Sequence, residues 1–143
     1  MMNPRIGKQV GETADVGYQI GVRRTVPASV EQSWDLLTSR EGVALWIGPM
    51  AAPLPIEANI EFQAANGVEG KLRIVKPPVQ LRLAWRRPEW RTASTLQIRV
   101  LPAASPDRST ISFHQEKLAN GLLREEMKRH WEAVIAALAD RLA

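Results

Sequence analysis

The side chains in this sequence with most chemical capacity are an amide near the end of a strand pattern, two histidines and five tryptophans. Gln115 continues the apolar parity of Ile111 and Phe113, so its amide faces inward, unless the strand has already ended there and the group meets solvent. An unpaired buried amide costs about 1–3 kcal/mol. An inward Gln115 therefore needs Trp131, His130, water or a ligand as partner. His130 falls beside an apolar helical stripe and is expected to border any space beneath that helix. It is read either as a structural residue or as a catalytic base. His114 has the opposite parity to Phe113 and points outward, so the two histidines do not form a ligand pair. No His, Asp or Glu spacing marks a metal site.

Other chemistries are excluded more simply. The chain of 143 residues contains no cysteine, which removes disulfides, thiol nucleophiles and thiolate metal sites. There is no glycine-rich phosphate loop, Gly-x-Ser-x-Gly elbow or His-Glu-x-x-His motif. Glu57, Glu61, Glu69 and Glu116 are predicted on loops or on a wet face, so no buried carboxylate pair is expected. No catalytic residue, metal or cofactor is assigned. The net charge is +4, but bases and acids interleave. Arg23-Arg24 and Arg86-Arg87 are read as solvated faces, and no nucleic-acid partner is expected. Residues 1–15 hold no signal-peptide stretch, and no run reaches the roughly 18 apolar residues of a membrane span. A cytoplasmic location follows as the expectation.

The elements that position these residues can be read from hydrophobic period. Residues 1–14 form a flexible lead-in, and 15–143 one domain. Val16, Tyr18, Ile20, Val22 and Val26 alternate with polar neighbours, as in a half-buried strand ended by Pro27. Ser29 and Gln32 form a capping box for a first short helix carrying Val30, Trp34 and Leu37. Ser39 caps a second short helix reaching about Ile47. Alternation then recurs in five segments: Ile60–Ala64, Leu72–Ile74, Leu81–Trp85, Leu96–Val100 and Ile111–Phe113. Asn66-Gly67 and Ser105-Pro106-Asp107 supply turns between them. From Asn120 to Leu142 a helix carries Leu123, Met127, Trp131, Val134 and Leu138 in one stripe, which must cover the apolar face of the sheet. The fold class is α+β: an antiparallel helix-grip sheet of about six strands around a long C-terminal helix, with two short helices after the first strand.

The stretches Val26-Pro27-Ala28-Ser29-Val30-Glu31-Gln32-Ser33-Trp34, Leu45-Trp46-Ile47-Gly48-Pro49, Gly70–Val75 with Leu83-Ala84-Trp85, and Trp131 with Val134, Leu138 and Leu142 occur in that order. This order resembles the START-like, or SRPBCC, superfamily, and within it the branch named for activators of heat shock protein ATPase. The likeness covers roughly residues 16–142. It departs from the family pattern at His130, where glycine is frequent, and at Gln115, where histidine is frequent. The segment between Trp46 and Ile60 also lacks the usual glycine pair. The resemblance implies a ligand-sized cavity between sheet and helix, and a domain type that in some relatives assists a chaperone.

The residues expected to face such a cavity are Trp46, Ile60, Phe62, Trp85, Phe113, Gln115, Met127, His130 and Trp131. Trp34, Trp85 and Trp131 are equally suited to filling the core, whereas Trp46 and Trp90, beside loops, suit the lining or cover of an opening. The main functional expectation is binding of a small hydrophobic or amphipathic molecule. The second is a chaperone-associated or other protein-docking module using Lys71, Arg73, Arg82, Arg86 and Arg99 on the outer sheet face. A cyclase- or hydrolase-type enzyme using the cavity is the third. A sheet edge or the Trp90 loop would serve a homodimer; a monomer fits the sequence equally.

Overall fold

A computed structural model describes residues 12–13 and 17–143. The chain runs β1 (Glu12–Thr13), β2 (Gly17–Val26), α1 (Val30–Thr38), α2 (Arg40–Trp46), β3 (Glu61–Gln63), β4 (Glu69–Lys76), β5 (Gln80–Arg86), β6 (Ser94–Pro102), β7 (Ser109–Leu118) and α3 (Gly121–Leu142). The strands form one antiparallel sheet in the order β1-β2-β7-β6-β5-β4-β3. The α+β helix-grip architecture read from the sequence is therefore the observed one, with the two-residue β1 added at one edge. Apart from Glu12 and Thr13, the lead-in expected over residues 1–14 lies outside the described residues, as does Val16.

The helices form where the sequence offers caps. Ser29 Oγ accepts from Gln32 N at 3.1 Å, and Gln32 Oε1 accepts from Ser29 N at 2.9 Å, which satisfies two of the free donors at the start of α1. Ser39 ends α1 and caps α2 through its hydroxyl, which accepts from Gly42 N at 3.1 Å. Gly42 allows the two short helices to meet at this angle, because a Cβ there would lie 1.9 Å from Leu36 O. The stripe of α3 is buried as its spacing requires, with Met127, Trp131 and Leu138 fully covered. Among the described residues no helix is long and apolar enough to cross a membrane.

Two bulges change which side chains face inward. In β4 the register slips between Leu72, opposite Leu83, and Ile74, opposite Arg82. Strict alternation placed Leu72 and Ile74 on one apolar face. The extra residue instead turns Ile74 outward, where it is 36% exposed, and brings Val75 opposite the buried Leu81. In β7 a similar slip separates Gln115, opposite Ile20, from Leu118, opposite Tyr18. Lys117 takes φ 66° at this bulge. The strand continues past Gln115, so that residue is inward, and Leu118 is inward too.

Candidate functional site

The interior between sheet and α3 is filled by side chains. Trp131 stacks on Phe113 with centroids 4.9 Å apart, meets Trp85 edge-on at 5.4 Å, and meets His130 edge-on at 4.6 Å. A chain of hydrogen bonds runs through this cluster. Trp131 Nε1 donates to Gln115 Oε1 at 2.8 Å, Gln115 Nε2 to Ser94 Oγ at 2.9 Å, and Ser94 Oγ to Trp85 O at 2.6 Å. Trp85 Nε1 then donates to Trp46 O at 3.0 Å, and Trp46 Nε1 to Leu37 O at 2.9 Å. The partner that Gln115 needs is therefore Trp131, with Ser94 as the second.

Seven of the nine candidate residues thus belong to the packed core: Trp46, Phe62, Trp85, Phe113, Gln115, Met127 and Trp131 are each almost wholly buried. Ile60 is half-buried just before β3. His130 is half-buried, yet its Nε2 is covered and has no hydrogen-bond partner. Burial, with a smaller contribution from the Arg87 charge, lowers the His130 pKa to about 4, so the imidazole is neutral at pH 7. Trp46 sits in the core rather than at an opening, because the bond to Leu37 O draws its indole under α1. His114 points outward as its parity requires, and one ring nitrogen lies 3.1 Å from Gln19 Oε1. Among the described residues no group of three or more His, Cys, Asp or Glu side chains is placed to hold a metal ion.

Open space lies instead at one end of this cluster. A groove of about 920 Å³ runs between the loop after β5, the end of β7 and the first turns of α3. Its apolar wall is Trp90, Leu118, Leu122 and Leu123, and its charged rim is Glu89, Arg91, Lys117 and Glu126. Leu122 is 80% exposed there. Trp90 packs edge-on against Trp85 at 5.4 Å, which joins the groove wall to the buried aromatic cluster. The β7 bulge places Lys117 at the same rim, with the Leu118 side chain turned into the core beneath it. Two smaller depressions, of about 510 Å³ beside Phe62 and about 410 Å³ beside Pro102, offer no comparable aromatic and aliphatic wall.

Arg87 lies behind the groove, against two of the residues that line it, Trp90 and Glu126. Two positions after Trp85, strand parity directs it to the helix side, while Arg86 points outward to Glu69. The guanidinium lies 5.8 Å from the Trp85 ring centroid and 6.0 Å from that of Trp90, and its Nη1 is 3.3 Å from Glu126 Oε2. Arg87 was grouped with Arg86 on a solvated face by sequence. Its position two residues beyond an inward tryptophan was the signal for a different side.

A family model described as activator of Hsp90 ATPase homolog 1-like protein matches residues 27–143. No curated protein matches the chain. Several solved structures share the fold. DynU16, a protein of the dynemicin biosynthetic locus, superposes with a TM-score of 0.72 and 21% identity over 87% of this chain and 46% of its own. The chain thus spans less than half of DynU16. The Aha1 dimer from Colwellia psychrerythraea gives 0.69 and 15% over 87% and 95% of the two chains. An HSP90 activator from Plasmodium falciparum gives 0.67 and 15% over 80% and 88%. At these identities the structural likeness concerns the fold.

Proposed function

The chain belongs to the activator of Hsp90 ATPase homolog 1-like family, and from that premise we propose that it binds a small hydrophobic or amphipathic molecule in the groove beside Trp90. The observation that carries this reading is the apolar wall itself. Leu122 stands 80% exposed on α3 beside Trp90 and Leu123 in a concavity of about 920 Å³, a size and shape suited to small ligands. Covering an exposed leucine contributes about 1.5–3 kcal/mol, and the fold itself leaves this one uncovered. Of the nine residues singled out by sequence, Trp85 packs directly on Trp90, and His130 and Trp131 pack on Trp85. Ligand contact is assigned to Trp90, Leu122 and Leu123.

The test is tryptophan fluorescence during titration with fatty acids, flavonoids and other planar hydrophobes, in the wild type and in Leu122→Asp. Leu122 is exposed, so the variant keeps the core intact. Saturable quenching or a blue shift that Leu122→Asp weakens supports the groove. No response across the panel, or a response the substitution leaves unchanged, refutes it. Trp131→Ala and Gln115→Leu are unsuitable probes of binding, because both break the buried hydrogen-bond chain.

A second reading, docking of an acidic protein surface, draws on the outer sheet face. Register aligns Arg23, Ser112, Arg99, Gln80 and Lys76 in one row across five strands, with no acid in the row. Arg82 and Arg86, also assigned to that face by sequence, are paired with Glu116 and Glu69. The cationic character of the row therefore rests on Arg23, Lys76 and Arg99, all exposed, with Lys71 and Arg73 of the expected patch on β4 and without an ion-pair partner among the described residues. An Arg23→Glu/Arg99→Glu variant that keeps its partners in pull-down experiments would remove this reading.

A further inference from the structure

We propose that the groove selects anionic amphiphiles, with Arg87 receiving the acid head after Glu126 is displaced from it. This rests on the groove being the binding site and specifies which class of molecule it takes. The argument begins with how Arg87 is held. Its guanidinium lies near two indole rings, Trp85 and Trp90, at 5.8 and 6.0 Å from their centroids. Such contacts orient a planar cation without consuming its N–H donors. Its side chain is 22% exposed, largely withdrawn from bulk water, and it adjoins the groove through Trp90 and Glu126, both of which line it.

Its present partner is a poor match for that site. Glu126 reaches only Nη1, through one oxygen at 3.3 Å, and its own side chain is 54% exposed. A single contact to an exposed carboxylate contributes little. A carboxylate arriving from the groove could engage the guanidinium fork with both oxygens, the shorter and stronger arrangement. Glu126 is free to turn to solvent when this happens, because no other bond to its side chain is made among the described residues.

The rest of the groove favours the same charge. Arg91 and Lys117 line it and have no ion-pair partner among the described residues. With Arg87 they set three cations against Glu89 and Glu126, and the balance tips further once Glu126 leaves. The apolar body of the ligand would lie along Trp90, Leu122 and Leu123. Head and tail positions are thus separated in the way an amphiphile requires.

The experiment compares decanoate with decanol by isothermal titration calorimetry, below their aggregation limits, in three proteins: wild type, Glu126→Gln and Arg87→Gln. Decanoate is expected to bind the wild type about tenfold more tightly than decanol, the scale of one charge-assisted contact. Glu126→Gln removes the internal competitor and should tighten decanoate binding several-fold, with decanol unchanged. Arg87→Gln should erase the preference for the acid. A Glu126→Gln protein that binds decanoate more weakly, or a wild type that binds both compounds equally, overturns the head-group assignment while leaving the groove as a binding site. Failure of both compounds to bind the folded wild type overturns both. Circular dichroism confirms that each variant is folded before the comparison is made.

Discussion

Acid should weaken this fold through His130, and the size of the effect can be worked out. The imidazole is held among Trp85 and Trp131, with centroids 6.0 and 4.6 Å away, and burial together with Arg87 lowers its pKa from 6.5 to about 4. The neutral form is favoured in the folded state, so the unfolded chain takes up the proton first. Stability is unaffected by this group above pH 6.5, falls as pH drops below that value, and stops falling near the folded pKa. A span from 6.5 to about 4, at about 1.36 kcal/mol per unit, sets an upper bound of about 3 kcal/mol. The ring is partly exposed, and solvent screening brings the expected loss to about 1–2 kcal/mol. His130→Phe keeps a ring against both indoles and removes the titration. Urea unfolding followed by circular dichroism from about pH 7.5 to about pH 4.5 should show the wild type losing about 1–2 kcal/mol more than the variant. Carboxylates common to both proteins cancel in the difference. Parallel curves for the two proteins would show that His130 is not desolvated as described, and the reasoning would fail.

Three further outcomes can be checked by denaturation or titration. Gln115→Leu leaves Trp131 Nε1 without its acceptor and should cost about 1–3 kcal/mol. Its effect should be less than additive with that of Trp131→Phe in a double-mutant cycle on urea unfolding, with a coupling of about 1–2 kcal/mol. Gly70→Ala places a Cβ 1.8 Å from Ala84 O and 2.7 Å from Phe62 Cζ; a loss of about 3 kcal/mol in chemical denaturation is expected, since sheet backbone must shift to admit it. Ser29→Ala removes the capping box and should cost about 1 kcal/mol on the same measure.

The fold was legible because its signals are local. Period-two alternation marked β5 and β6, the Ser29/Gln32 pair marked the start of α1, and the spacing of Met127, Trp131, Val134 and Leu138 marked the buried face of α3. Parity also placed Gln115 inward and His114 outward. What could not be read were events that break a period. The slip after Leu72 turns Ile74 outward, and nothing in Lys-Leu-Arg-Ile-Val distinguishes that strand from a regular one. The bulge at Lys117 likewise turns Leu118 into the core beneath the groove. Nor does an inward-facing list separate residues that surround a space from residues that fill it. Trp85, Phe113 and Trp131 all face inward, but their ring contacts of 4.9 and 5.4 Å leave no room between them. Only the three-dimensional arrangement of large rings decides this.

The filled interior bears directly on where a ligand would go. Entry between α3 and the sheet would separate the Phe113–Trp131 stack, worth about 0.5–1.5 kcal/mol beyond its buried area. It would also strand Trp131 Nε1 and Gln115 Oε1, whose bond is fully buried, at about 1–3 kcal/mol for each unsatisfied group. The groove beside Trp90 has neither cost, because its wall is already open and Arg87 is released from a single exposed contact. The same buried tryptophans that close the interior support this wall: Trp131 packs on Trp85, and Trp85 on Trp90. A rigid core thus sets the position of a binding surface at its edge, where one loop and the first turns of α3 determine what is recognised. Variation at the exposed positions Glu89, Arg91 and Leu122 should therefore change ligand preference far more than it changes stability, whereas the buried Leu118 and the α3 cap Asn120 are tied to the fold.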